Sequence, residues 1–507
     1  MTMLRKIEST LAAVLLAITA SAAATWSDTP VTCHWIGTEY AGRSGSYDYA
    51  EWTNAANWAE GIVPGRFEKD GATVGCEGCT AVFDRDCSYS TVGLSGFHSI
   101  SNVIVSGASV PMIRFGQTTS SVFYFERHGG VFVASDVATA PQFRGPLKYR
   151  RGAENTVTTL YFENNSSTQL TIGGFKGPDT AFGSNAGDVT LVMRGTGVIT
   201  CNGSHDRSKY ALRILLEMNG GKFIQAYSTY IDKIAVGNNL SQQHFEISSG
   251  KTVTSPTSIA VPVSAQSDLI IDGDGTYAIS ATADSAAFAI ASGNTLTIDC
   301  SVTRPEGKKI QIGHGTYSGG TVALAAGRSF DTPVDFYSGA LQLADGETFS
   351  YLLSIMNDHA SRKGTISGGR EIEAKITGGV AGVGHALTLT NRLAIACDIT
   401  ATTTVAADAE ISFRKADEAA TTSFTVSYLT LAGNKTVPVE DGVTATVAAI
   451  NNNGYTLDIR PSGSGKVLFT GLSAGRAPEW LTLNGAHGKI AADGELLPPG
   501  GMLLIYR

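Results

Sequence analysis

Phe245–Val253 reads FEISSGKTV. Phe245 and Ile247 alternate with a polar residue, which puts both on one face of a strand. Gly250 suits the left-handed backbone of a tight corner, and β-branched Thr252 restarts an extended chain. The pattern recurs as FAIASGNTL (Phe288–Leu296), VALAAGRSF (Val322–Phe330) and LQLADGETF (Leu341–Phe349), and as LTLAGNKTV (Leu429–Val437) with glycine one place early. A second echo pairs LTIDCSVT (Leu296–Thr303) with LAIACDIT (Leu393–Thr400), placing Cys300 and Cys397 at equivalent positions. On an apolar-alternating face such cysteines, like Cys201 in GVITCNG, act as small buried hydrophobes. Gly-x-Gly turns form a third family: RGTGVI, DGDGTYAI, GHGTYSGG and SGSGKVLF.

Strand, glycine corner and strand, repeated, predict an all-β chain. A right-handed parallel β-helix, or β-solenoid, in which coils of about 20–25 residues stack over one continuous core, is expected for residues 91–507. Tandem β-sandwiches, with the same turns closing antiparallel hairpins, are the alternative. The composition agrees: 58 glycines and only 16% charged residues among 507, with a normal apolar fraction, describe many short strands rather than disorder. A net charge of −8 without any basic block argues against nucleic acid and anionic membrane surfaces as partners.

Residues 1–24 read as a signal peptide. Arg5 and Lys6 form a basic start, Leu11–Ile18 a short apolar core, and Ala22, Ala23 and Ala24 the small residues of a cleavage site. No later run reaches about eighteen apolar residues, so no membrane-spanning helix is expected. The tail GMLLIYR (Gly501–Arg507) reads as one strand and not as a translocator barrel. The expectation is a secreted or cell-surface protein.

Between leader and repeats, residues 25–90 hold HWIGTEYAGRSGSYDYAEWTNAANWAEGIVPG (His34–Gly65). Trp35, Trp52 and Trp58 suit an aromatic cap over the open end of a solenoid. The functional alternative has rings stacking on sugar faces, with Tyr47, Tyr49 and Trp52 as candidate glycan contacts in a loop. Four of the seven cysteines surround this segment, and in an exported protein disulfides are expected. VGCEGCTAV reads as a hairpin with its turn at Glu77-Gly78, pairing Cys76 with Cys79 and leaving Cys33 to Cys87. The rival use, a zinc site, lacks a second CxxC.

Trp35-x-Gly37, Trp52, Asn57-Trp58, Val63-Pro64-Gly65 and Asp70-x-Ala72 together resemble the N-terminal segment of secreted bacterial proteins rich in autotransporter-associated β-strand repeats. GTYSGGTVAL (Gly315–Leu324) resembles the core of those repeats. The resemblance covers residues 33–83 and implies an exported β-helical surface protein, though without the translocator barrel that self-secretion needs.

Motifs of catalysis are scarce: HExxH, GxSxG, a Walker loop and a dinucleotide fingerprint are all absent, and no catalytic residue, metal or cofactor is assigned. SGSGKV (Ser462–Val467) reads as a strand turn, and DGDG (Asp272–Gly275) as a hairpin turn rather than a calcium loop. NGSHDRSKY (Asn202–Tyr210) and NDHASRK (Asn357–Lys363) hold the residue types of a polysaccharide lyase site. The expected function is a non-catalytic structural or adhesin-like protein binding a polysaccharide or cell-surface glycan. A carbohydrate-active enzyme, lyase or glycoside hydrolase, is the alternative. An enzyme would gather Asp, Glu, Arg or Lys from at least three neighbouring coils, whereas a glycan binder would expose rings.

Overall fold

The computed structural model describes residues 26–499 except 45, 70–71, 95–96, 117–122, 150–156, 177–187, 206–210, 238–241, 256–258, 262–267, 281–284, 315–318, 331, 345–347, 350–352, 356–362, 369–370, 373–375, 378–385 and 417–418. The leader assigned to 1–24 and the tail at 501–507 lie outside the described residues. The chain divides into two compact units, Met1–Leu212 and Arg213–Arg507. Each is a parallel β-solenoid.

In the first unit Thr32–His34 pairs in parallel with Thr80–Phe83, and that strand with Phe97–Val105. Phe123–Val133, Thr158–Asn164 and Val189–Gly195 follow on the same face. A second face runs through Tyr47–Glu51, Thr91–Gly93, Arg114–Phe115, Gln142–Phe143, Leu170–Ile172 and Val198–Cys201. In the second unit Gln243–Ile247, Leu269–Ile279, Thr295–Thr303 and Thr321–Leu324 stack likewise. Successive strands are parallel neighbours, which excludes sandwiches of hairpins. Register partners lie 31 residues apart at Leu160↔Leu191 and 16 at Leu389↔Val405, so the coils vary more widely in length than the sequence pattern suggests.

The alternation in FEISSGKTV does what its residues predict. Phe223, Phe245, Ile271, Ile298 and Leu324 form one buried column, each in register with the next. Gly250, Gly293 and Gly327 all have positive φ, and a backbone bond closes each corner: Lys251 N to Ser248 O, Asn294 N to Ala291 O, Arg328 N to Ala325 O. This is the arrangement of a type II turn, which wants glycine at its third position. Cys201, Cys300 and Cys397 are buried. DGDG is not a hairpin: Asp272–Gly275 lies inside the single strand Leu269–Ile279, as a register shift where the coil bends. SGSGKV is a turn, with Gly465 N bonded to Ser462 O.

The N-terminal aromatics are packing. Trp35, Trp52 and Trp58 are each 1% exposed and meet edge to face, Trp58 lying 5.0 Å from Trp35 and 4.8 Å from Trp52. Contacts continue through Phe83, Phe115, Phe123, Phe143 and Phe125 to Phe162 and Phe175. Burying each phenylalanine contributes roughly 1.5–3 kcal/mol. The indole N–H groups of Trp58 and Trp52 reach the carbonyls of Trp52 and Pro64. Buried Asn57 accepts from Glu39 N and donates to Glu51 O. Gly37 (φ 51°) shows why Trp-x-Gly is needed, since a Cβ there would stand 2.6 Å from the Trp35 ring nitrogen.

The expected disulfides are not formed. All seven cysteines are free, and Cys76 Sγ stands 3.3 Å from Cys79 Sγ, well beyond the roughly 2.05 Å of a bond. Cys76 and Cys79 flank a corner rather than a hairpin, because Ala72–Gly75 pairs with Arg66–Lys69 and Thr80–Phe83 with Thr32–His34. Cys33 is inside, in register with Ala81 and facing Cys79 and Glu60, while Cys87 lies against Trp35. Burial pushes the Cys33 and Cys76 thiols up to about 12 and Cys87 to about 11, so all three are protonated and poorly nucleophilic at neutral pH. Rings and backbone bonds staple this segment instead. Antiparallel Gly475–Arg476, Lys489–Ile490 and Leu496–Leu497 lie in a stretch that the sequence assigns to the repeats.

Close stacking makes Gly130 a sensitive position. Phe123–Val133 bends between Phe125 and Gly130, and a Cβ at Gly130 would collide with the Tyr161 carbonyl of the next coil. Gly130→Ala is expected to lower stability by about 1–3 kcal/mol in thermal or urea unfolding, whereas Ser249→Ala at an exposed corner leaves it within about 0.5 kcal/mol. Equal effects of the two substitutions would contradict the stacking distance.

Candidate ligand-binding surface

In the first unit Gly42–Ser44 pairs antiparallel with Tyr47–Glu51 as two arms of a hairpin. Its second strand joins the solenoid through Ala50↔Val92 and Glu51↔Gly93. Tyr47 and Tyr49, two residues apart, share a strand face, and both are half-buried. Tyr49 lies over Gly93 and Gly42, where any Cβ would meet its ring.

Tyr47 meets two guanidinium groups. Arg114 Cζ lies 4.6 Å and Arg144 Cζ 4.3 Å from its ring centroid. The two arginines come from successive coils, since Gln142 pairs with Arg114 and Phe143 with Phe115. Arg114 Nε is buried with no hydrogen-bond partner among the described residues, and Arg144 is exposed. A third cation, Arg43, stands 3.7 Å from Asp48 on the hairpin. Each cation–π contact is worth about 0.5–1 kcal/mol at an exposed site, and a guanidinium group can pair with an anion in bidentate fashion. The surface thus joins a half-buried aromatic ring to clustered positive charge on an otherwise acidic chain.

The other residues singled out by the sequence fare differently. Trp52 belongs to the core and has no surface to offer a sugar, so the glycan reading passes to the two tyrosines. His205 is buried and takes the Phe175 N–H on Nδ1 at 3.0 Å, a structural role, while 206–210 lie outside the described residues. So do 356–362, which hold most of NDHASRK. Among the described residues no group of three or more His, Cys, Asp or Glu is placed to hold a metal ion, and no helix is long and apolar enough to cross a membrane.

Comparison with protein families, with curated proteins and with solved structures finds no match.

One cluster escaped the sequence reading. In the second unit the outward positions Glu246, Asp272 and Asp299 are in register on three successive coils, about 4.8 Å apart. Lys222 bonds Glu246, His244 Nδ1 lies 3.5 Å from Asp272 Oδ2, and Arg328 Nε lies 3.1 Å from Asp299 Oδ1. Burial raises the Asp272 carboxyl above its ordinary value, against the lowering influence of His244 and with a further push from Glu246. No motif marks these residues, because their neighbourhood depends on inter-coil register. The only sequence signal is acidic residues recurring at outward positions of the repeated strands.

A carboxyl raised on folding favours the native state below its unfolded value of about 3.9, and that contribution fades as pH rises through the native value. Asp272→Asn removes the effect. Its Tm minus that of the parent is expected to increase between about pH 3 and pH 7, by differential scanning fluorimetry across that range. A difference that shrinks or reverses toward pH 7 would contradict the burial cause.

Proposed function

We propose that this is an exported, surface-located β-solenoid of structural or adhesin-like character that binds glycans without catalysis, and that Tyr47 with Arg114 and Arg144 contacts an acidic chain. The observation that carries this reading is the Tyr47 ring held within 4.6 Å of one guanidinium and 4.3 Å of another. An aromatic face suits the C–H side of a sugar ring, and two guanidinium groups suit carboxylates or sulfates along the chain. The leader pattern and the likeness to autotransporter-associated repeat proteins support an exported location.

Retention on polygalacturonate or heparin beads tests it. The parent is expected to bind and to be released as salt rises from about 50 to 300 mM, since exposed charges are screened at that ionic strength. Tyr47→Ala and the double variant Arg114→Gln, Arg144→Gln should each lose tenfold or more in affinity while unfolding as the parent does. Retention that is indifferent to both variants contradicts the proposal.

The second reading, a carbohydrate-active enzyme, is favoured by the charged column Glu246, Asp272 and Asp299, with His244, Lys222 and Arg328. Here acids and bases from several coils meet, as such chemistry requires. Each carboxylate, however, has a cationic or imidazole partner at its side. New reducing ends released from a polysaccharide by the parent, and none by Asp272→Asn, would establish catalysis over binding.

A further inference from the structure

In the second unit one face of the coil stack runs through Arg392–Ile395, Glu410–Phe413, Lys435–Val439 and Leu457–Pro461. The first two strands are in register from Arg392↔Glu410 to Ile395↔Phe413, and the last two from Lys435↔Leu457 to Val439↔Pro461. Between the middle two the ladder holds, among the described residues, at Phe413↔Val439 alone. The cause is a proline. Glu440 N donates to Phe413 O at 2.9 Å, so the N–H two residues earlier should point at the Ile411 carbonyl. Residue 438 is proline and has no N–H to give. Further along, the side chain of Lys435, 6% exposed, inserts where ladder bonds would be, and its ammonium donates to Ala407 O at 2.9 Å and Ala409 O at 2.6 Å.

A groove of about 690 Å³ lies where the ladder is interrupted, lined by residues of Ala407–Arg414 and Asn434–Glu440. That is within the roughly 300–1,000 Å³ of small-ligand sites. Three cations (Arg392, Arg414, Lys435) and three carboxylates (Asp408, Glu410, Glu440) line it, so the lining carries no net charge. The Arg392–Glu410 pair is open, 3.9 Å apart with both side chains more than three-quarters exposed, and such a pair is held by little energy. A ligand of fixed charge would meet as much repulsion as attraction here. Planar guanidinium and carboxylate groups, by contrast, present paired donors and acceptors that match adjacent hydroxyls.

We propose that the groove beside Pro438 is a binding site for a neutral polyhydroxylated ligand, a short stretch of uncharged glycan chain. The site lies on a different unit from Tyr47 and does not depend on the reading of that surface. Its chemistry predicts saturable binding that salt barely affects, in contrast to the salt-sensitive arginine surface.

The test is calorimetric titration of the full chain with cellohexaose, xylohexaose, mannohexaose and maltohexaose at about 50 and 300 mM salt. At least one is expected to bind with the same affinity at both salts. Pro438→Thr restores the missing N–H to the ladder, and is expected to raise Tm and weaken that binding tenfold or more as the strands close. The double variant Glu410→Gln, Arg414→Gln keeps the proline and should weaken binding with Tm unchanged, which reads the site even if the proline variant folds poorly. Tyr47→Ala should leave it intact, so failure of the arginine surface and failure of this groove give different results. No saturable binding of any of the four sugars by the folded parent overturns the proposal. So does binding that both groove variants leave unchanged.

Discussion

Everything in this molecule depends on the parallel backbone ladder between successive coils. A single coil cannot bury its apolar side chains or bond its own N–H and C=O groups; both needs are met by the neighbouring coils. In-register stacking then aligns like with like, as in the column from Phe223 to Leu324. It also makes corners the places where sequence is least free. Gly250, Gly293 and Gly327 turn the chain, and Gly129 and Gly130 let it pass between the preceding and the next coil without a collision. The tryptophan cluster is buried within the first described coils, and antiparallel strands, Lys489–Ile490 with Leu496–Leu497, follow the last parallel ones.

The repeating core was legible because its cause is local. Alternation in FEISSGKTV and its relatives shows which residues point inward, and glycine shows where the chain turns. Packing of Trp35, Trp52 and Trp58 follows from their size and company, and Gly37 beneath the Trp35 indole gives the Trp-x-Gly spacing its reason. What depends on register between coils was not legible. Arg114 and Arg144 reach Tyr47 from far along the chain, and Glu246, Asp272 and Asp299 align only once coil lengths are known. The cysteines misled for a related reason. Four thiols near one another in sequence suggested a covalent staple, but Cys33 is held in the core opposite Ala81 and Cys87 against Trp35. The hairpin expected to join Cys76 to Cys79 gives way to a corner between different partners.

Departures from the regular ladder are where chemistry gathers. Tyr47 sits on a hairpin that leaves the solenoid face, Asp272 on a bulge where one strand bends, and the groove beside Lys435 where Pro438 withholds a donor. In a repeating fold the interior is committed to stacking, so outward positions and local faults are the places free to vary. An aromatic ring flanked by arginines, a column of carboxylates with cationic partners, and a split lined by balanced charges are three distinct chemical surfaces on one kind of scaffold. The first two carry charge, and the third is balanced in charge.

Inter-coil register is the claim on which all of this rests, and cysteine cross-linking measures it directly. Thr297 and Ala323 are register partners, about 4.8 Å apart across adjacent strands and within the range a disulfide can bridge. Gln342 pairs with Ala323 one coil further on. On mild oxidation, tryptic mapping of the double variant Thr297→Cys, Ala323→Cys should show a 297–323 disulfide in most molecules. Thr297→Cys with Gln342→Cys should show almost none. Efficient linkage of 297 to 342, or none of 297 to 323, would contradict the stacked register.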